Sequence, residues 1–83
     1  MSAVGKRTPR AQQDRLLTLL RERRLAAGLR QQDIADRLRR PQSFVSKYET
    51  GERRLDILEL REICVALGIT LSTFVRELER SLK

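Results

Sequence analysis

Histidine is absent from these 83 residues, and cysteine occurs once. Without histidine the commonest general base and metal ligand is missing, so hydrolytic and metal-dependent mechanisms lack their usual parts. The single thiol, Cys64, can close no internal disulfide, which suits a reducing compartment such as the cytoplasm. Aromatic residues number three, Phe44, Tyr48 and Phe74. That is too few to offer the exposed stacking surfaces on which RNA recognition usually depends. No run of about 18 apolar residues is present to cross a membrane, and Met1 to Arg10 lack the apolar stretch of a signal peptide. Strand-type alternation, internal repeats and a glycine-rich phosphate loop are also missing. The sequence therefore speaks against an enzyme, a cofactor, a metal site and a membrane partner.

What is present is charge. Hydrophobic residues make up 40% and charged residues 35%, enough for one small domain with a small core. A chain of this size buries only about 60% of its unfolded surface, so marginal stability or help from a partner subunit is expected. The formal net charge is +7. Residues 1–54 carry 14 Lys/Arg against 6 Asp/Glu, and residues 55–83 carry 4 against 5. The basic excess thus lies in the first two-thirds, where it suits a polyanion, while the last third is nearly neutral. A solubilising basic surface is the plainer alternative.

Periodicity predicts an all-α chain. Residues 1–10, with Lys6, Arg7 and Arg10, read as a flexible basic tail, with insertion into a minor groove as an alternative; residues 11–83 read as the folded domain. Thr8-Pro9 suits a helix start, since proline costs nothing at the first helical position. The helix that follows is predicted to run to about Ala27, with Leu16, Leu17, Leu20 and Ala27 inward. A second helix fits Gln31 to Leu38, and a third begins near Pro41, which cannot continue the helix before it. That third helix ends at Thr50. Asp56 with Glu59 reads as a capping box opening a fourth helix, with Ile57, Leu60, Ile63, Cys64 and Leu67 inward. Thr70 caps a fifth, carrying Leu71, Phe74, Val75, Leu78 and Leu82 at helical spacing. Gly28, Gly51 and Gly68 each follow a predicted helix, where a left-handed cap favours glycine.

Helices two and three form a helix-turn-helix candidate. Counted from Gln31, apolar side chains fall at the fourth (Ile34), eighth (Leu38), fifteenth (Val45) and eighteenth (Tyr48) positions. The fifth is Ala35, the small residue that a close helix crossing needs. Gly28-Leu29-Arg30-Gln31-Gln32-Asp33-Ile34-Ala35, followed by Arg40-Pro41-Gln42-Ser43-Phe44-Val45-Ser46-Lys47-Tyr48-Glu49-Thr50-Gly51-Glu52-Arg53-Arg54, resembles the Cro/repressor-type helix-turn-helix of phage and bacterial regulators, the xenobiotic response element-like family. The resemblance spans about residues 12–82. It implies a compact five-helix lambda-repressor-like domain. Three positions depart from the pattern. Arg30 stands where Ser or Thr usually caps the second helix. Arg39 stands where glycine usually occupies the turn, and Arg40 where an apolar residue is usual. A changed turn is therefore expected, with the two arginines as added phosphate contacts.

The resemblance implies that the third helix enters the major groove. Gln42, Ser43, Ser46 and Lys47 would then read bases, Gln42 by bonding to adenine and Lys47 by donating to guanine. Gln31, Arg40, Arg53 and Arg54 would contact phosphates. The plain alternatives are an ordinary exposed glutamine at 31 and a solvated charge cluster of Arg53 and Arg54 with Glu52. Phe44 reads as core, with a thymine methyl as its alternative contact. Glu49 reads as a local bond or an arginine partner, and Cys64 as a small buried hydrophobe, with a redox switch as the alternative. Proteins of this type bind palindromic operators as two-fold dimers, half-sites about 34 Å apart. Val75, Leu78 and Leu82 are the candidate dimer surface; a monomer whose last helix merely covers the core is the alternative. The function expected is a sequence-specific regulator of double-stranded DNA, a homodimer repressing by occlusion. An antitoxin or restriction-control protein with a further protein partner is the competing expectation.

Overall fold

The computed structural model describes residues 10–83. The expectations for Lys6, Arg7 and the Thr8-Pro9 helix start lie outside the described residues. Five helices follow one another: α1 Arg10–Ala26, α2 Gln31–Leu38, α3 Gln42–Thr50, α4 Ile57–Leu67 and α5 Leu71–Ser81. Arg10, expected in the tail, is the first residue of α1. No strand occurs among the described residues.

The helix ends follow from local chemistry. Asp56 accepts from the Glu59 N–H at 2.7 Å, and Glu59 accepts from the Asp56 N–H at 3.1 Å, the reciprocal box expected from the sequence. The Thr70 hydroxyl accepts from the Thr73 N–H at 3.1 Å and opens α5. Pro41 is the N-cap of α3, extended at φ −63° and ψ 152°, so the helix proper begins one residue after the proline. Arg30 has no side-chain acceptor to offer, so the first half of a box is absent at α2. The other half is present: Asp33 accepts from the Arg30 N–H at 2.7 Å and holds the Arg30 guanidinium at 2.9 Å. The Arg30 guanidinium in turn keeps the Asp33 carboxyl low, at about 2.

Helices α1, α2 and α4 end with one pattern. At α1, Gly28 bonds back to the Leu25 carbonyl and Leu29 to that of Arg24; at α4, Gly68 bonds to Val65 and Ile69 to Cys64. At α2, Arg39 bonds to Asp36 and Arg40 to Ala35. Arg39 therefore stands where α1 and α4 use glycine, and it takes the left-handed conformation at φ 57° and ψ 45°. The expected change in the turn does not occur. The double carbonyl bond holds the geometry against a side-chain cost of about 1 kcal/mol.

Arg40 occupies the next position, where Leu29 and Ile69 pack onto the core in the other two motifs. Its guanidinium carbon lies 4.3 Å from the centre of the Phe44 ring. A cation–π contact thus takes the place of an aliphatic one, which explains how the arginine is accommodated.

The core gathers Leu17 and Leu20 of α1, Ile34 and Ala35 of α2, Phe44, Val45 and Tyr48 of α3, Leu60, Ile63, Cys64, Ala66 and Leu67 of α4, and Phe74 of α5. Each large side chain so buried contributes roughly 1.5–3 kcal/mol. Ala35 is fully buried where α2 meets α3, and a bulkier residue there would push the two helices apart. Phe44 is core, as the plainer sequence reading held. Two inward assignments are corrected. Ile57 is 59% exposed, and Ala27 is exposed just past the end of α1. A first-turn side chain leans back toward the helix N-terminus, so Ile57 projects past the end of α4 and not onto the core.

Candidate nucleic-acid interface

Helix α3 separates two kinds of residue by its period. Phe44, Val45 and Tyr48 point into the core. Gln42, Ser43 and Lys47 are exposed and Ser46 is half-buried, all on the outer side. Pro41 starts the helix abruptly, which leaves its first-turn polar side chains at the end that faces outward. The α2–α3 crossing fixes this face through Ala35, and three further ties hold it in place.

The first tie is a buried ion pair. Arg24 of α1 donates to Glu49 of α3 through Nε at 2.8 Å and Nη2 at 3.1 Å. Its Nη1 donates to the Leu29 carbonyl at 2.9 Å, joining the α1–α2 loop to the same point. The two side chains are 9% and 5% exposed. Hydrogen bonding to Glu49 raises the Arg24 pKa further, so the cation is permanent. Glu49 thus finds the arginine partner that the sequence left open. Arg24 was missed as a buried residue, although it lies four residues after Leu20 and seven after Leu17 on the inward stripe of α1.

A glutamine chain runs outward from this pair. Gln31 Nε2 donates to Glu49 Oε1 at 2.9 Å, and Gln42 Nε2 donates to Gln31 Oε1 at 2.6 Å. The first residue of α2 and the first of α3 are therefore locked together at the exposed surface. Gln31 retains one amide N–H for another acceptor. Gln42 retains one N–H and its oxygen.

The third tie gathers the arginines beyond α3. Arg53 donates to both carboxylate oxygens of Glu59, at 3.0 and 2.7 Å, and to the Arg54 carbonyl at 2.9 Å. Its guanidinium carbon lies 4.8 Å from the Phe44 ring centre. Arg40 approaches the same Glu59 at 3.8 Å. The Arg53 guanidinium and the Asp56 N–H hold the Glu59 carboxyl at about 2. Arg53 therefore has Glu59 as its partner, not the Glu52 of the sequence reading. Arg54 is exposed and enters no ion pair among the described residues. The family resemblance implied phosphate contacts for Arg40, Arg53 and Arg54, and the structure brings Arg40 and Arg53 onto one ring and one carboxylate.

Cys64 is fully buried, and burial pushes its thiol up to about 11, as befits a small hydrophobe. Among the described residues no cluster of His, Cys, Asp and Glu could hold a metal ion. No helix there is long and apolar enough to cross a membrane. On the last helix Val75 is 36% exposed and Leu78 half-buried, and Leu82, at the C-cap, is 39% exposed. The sequence reading missed larger apolar exposure on α4, where Leu58 and Val65 are 69% and 62% exposed.

A helix-turn-helix family pattern matches residues 20–74, which include α2, α3 and α4 whole. The fold is similar to that of an XRE-family like protein from Pseudomonas syringae pv. tomato str. DC3000. The two are 45% identical with a TM-score of 0.82, over 88% of this chain and 89% of that one. It is also similar to the restriction-modification controller protein C.Esp1396I. A tyrosine-to-phenylalanine mutant of that protein gives a TM-score of 0.81 at 23% identity, over 90% of this chain and 95% of that one. The wild-type form gives 0.79 at 22%, over 86% and 92%. No curated protein matches the chain. The chain belongs to the Cro/repressor-type helix-turn-helix family, that of the XRE-like proteins. It is a DNA-binding transcriptional regulator and not an enzyme.

Proposed function

We propose that this regulator reads double-stranded DNA in a sequence-specific way, with α3 lying in the major groove. The observation that carries the reading is the outer face of α3, where Gln42, Ser43 and Lys47 stand exposed over a buried Phe44, Val45 and Tyr48. Gln42 can present an acceptor and a donor together, which suits adenine N6 and N7, and Lys47 suits guanine O6 and N7. Ser43 and Ser46 take the bases between. Gln31 donates its remaining N–H to a phosphate from the start of α2, where backbone N–H groups also point outward. Arg40, Arg53 and Arg54 meet the backbone around the loop after α3. Arg54 is the freest of the three. Arg40 and Arg53 offer phosphates only the N–H groups that Glu59 leaves over.

Recognition of one half-site is too short to define an address, so the protein acts as a homodimer on a palindromic operator. Val75 and Leu78 of α5, with Leu82 at its C-cap, form the two-fold contact. It represses by occluding the promoter, in the cytoplasm of a bacterium or a phage-infected cell. Lys6 and Arg7 add to the basic charge that draws the chain to a duplex. A second reading is a restriction-control or antitoxin role with a further protein partner. The fold likeness to a restriction-modification controller, over 95% of that chain, favours the first of these two.

Selection from random duplexes tests the reading. A palindromic consensus is expected, and Gln42→Ala should lower affinity for it about five- to 150-fold while relaxing one position of each half-site. Arg54→Ala should weaken all duplexes alike and lower the slope of log K against log salt by about 1. Enrichment of no sequence over random competitor would refute the reading.

A further inference from the structure

We propose that Glu59 is a positioning residue for DNA binding: it gathers Arg40 and Arg53 into one clamp and leaves an open fork of the Arg53 guanidinium for the phosphate backbone. The inference rests on the reading that these two arginines meet phosphates.

An arginine carries five N–H groups in one plane, enough for two parallel pairs. Arg53 spends one pair on Glu59. Its Nη1 donates to Glu59 Oε1 at 3.0 Å and to the Arg54 carbonyl at 2.9 Å, and its Nη2 donates to Glu59 Oε2 at 2.7 Å. Both Nη1 protons and one Nη2 proton are then taken. What is left is the Nε–H and the second Nη2–H, which run parallel along another edge of the plane. Nε has no partner among the described residues, and no unpartnered side-chain nitrogen there is buried, so this edge is open to solvent. Two parallel N–H groups on an open edge fit two oxygens of one phosphate. The plane itself is held in place by the Glu59 fork, by the Arg54 carbonyl and by the Phe44 ring, whose centre lies 4.8 Å from the guanidinium carbon. An arginine so held loses little freedom when a phosphate arrives.

Glu59 also draws in the second cation. Arg40 Nη2 lies 3.8 Å from the same Oε2, too far for a hydrogen bond, so its N–H groups remain for the duplex. Its guanidinium carbon is 4.3 Å from the centre of the same Phe44 ring. Two guanidinium groups converging on one ring repel each other, and the carboxylate they share offsets that repulsion. The trio keeps one net positive charge. A carboxylate near DNA would ordinarily oppose binding. Here its oxygens are already engaged: Oε1 also accepts from the Asp56 N–H at 3.1 Å, and the Glu59 side chain is 16% exposed against 38% for Arg40 and for Arg53. The order it imposes on two cations therefore outweighs its own repulsion. Removing the negative charge should weaken binding to a polyanion, the reverse of what net charge alone predicts.

The experiment measures the affinity of the full chain for its selected operator and for a random duplex across a salt series. Glu59→Gln keeps the oxygen that a capping box needs but sets an NH2 against the Arg53 donors. Its affinity for both duplexes should fall at least about threefold, and the slope of log K against log salt should fall by up to about 1. Arg53→Lys keeps the charge and loses the forks, and should lose as much. It leaves the capping box intact, so it carries the test if Glu59→Gln does not fold. In a background of Arg40→Ala with Arg53→Ala, Glu59→Gln should cost nothing more, which separates positioning from a general effect on the fold. Affinity equal to or above the parent's in Glu59→Gln would overturn the proposal and make Glu59 a competitor of phosphate. Parent-like affinity in Arg53→Lys would overturn it too, as would an equal loss in Glu59→Gln with and without the two arginines. If Arg40→Ala and Arg53→Ala each leave affinity and salt slope unchanged, neither arginine meets the backbone, and the reading on which the proposal rests fails with it.

Discussion

Replacing Arg24 by methionine should destabilise the domain by about 3–5 kcal/mol, the usual cost of removing one member of a buried ion pair. Arg24 supplies two bonds to Glu49 and one to the Leu29 carbonyl, at 2.8, 3.1 and 2.9 Å. Glu49 would keep only Gln31 as a donor, in a site that leaves its side chain 5% exposed. A domain of this length is held by about 4–12 kcal/mol in total, so the loss is a large share of it. Each kcal/mol shifts the melting temperature of so small a domain by about 4–8 °C, so even the lower cost predicts a fall of about 12–24 °C. Urea unfolding followed by circular dichroism, at one fixed protein concentration, measures it. The pairing of Arg24→Met with Glu49→Leu should recover most of the loss, since an apolar pair of similar volume can replace a buried ion pair at little cost. A single-variant cost under about 1 kcal/mol, or a double variant as unstable as the single one, would refute the clamp.

Three further outcomes follow from the same contacts. Glu59 titrates at about 2 in the folded chain against an ordinary 4.5, so the unfolded chain takes up the proton first as pH falls. Its contribution is complete above about pH 4.5 and is lost toward pH 2; Glu59→Gln should therefore show a shallower acid loss of urea midpoint than the parent, and parallel curves would contradict this. Cys64 should resist alkylation at about pH 8 until the protein unfolds, because its thiol is fully buried and titrates only near 11; rapid labelling of the native protein would show otherwise. Val75→Lys with Leu82→Lys should shift sedimentation from dimer toward monomer at micromolar concentration, and Val65→Lys should not; the reverse pattern would move the two-fold contact to α4.

Helix boundaries were the most legible part of the fold, because they are written in residues with strong local preferences. Pro41, Gly51, Gly68, Asp56 with Glu59, and Thr70 each mark an end by their own geometry or hydrogen bonding. The outer face of α3 was legible for the same reason, since period alone separates Gln42, Ser43 and Lys47 from Val45 and Tyr48. Contacts between elements were not. Arg24 sits on the apolar stripe of α1, yet nothing in its neighbourhood of sequence names Glu49, 25 residues on, as its partner. Arg39 broke a local rule that the α2 backbone bonds enforce regardless. Glu59 was visible as a capping residue but not as the carboxylate that takes Arg53 and Arg40, because that depends on how the loop after Gly51 folds back over Phe44. Periodicity also gives a face without saying where the core beneath it stops, which is why Ile57 was misplaced.

A crystal structure of the protein bound to its selected operator tests the central claim most directly. The account predicts α3 lying along the major groove, with the Gln42 amide and the Lys47 ammonium at hydrogen-bonding distance from base edges and Gln31 on a phosphate. A complex in which α3 faces away from the duplex, while another surface makes the base contacts, would contradict it.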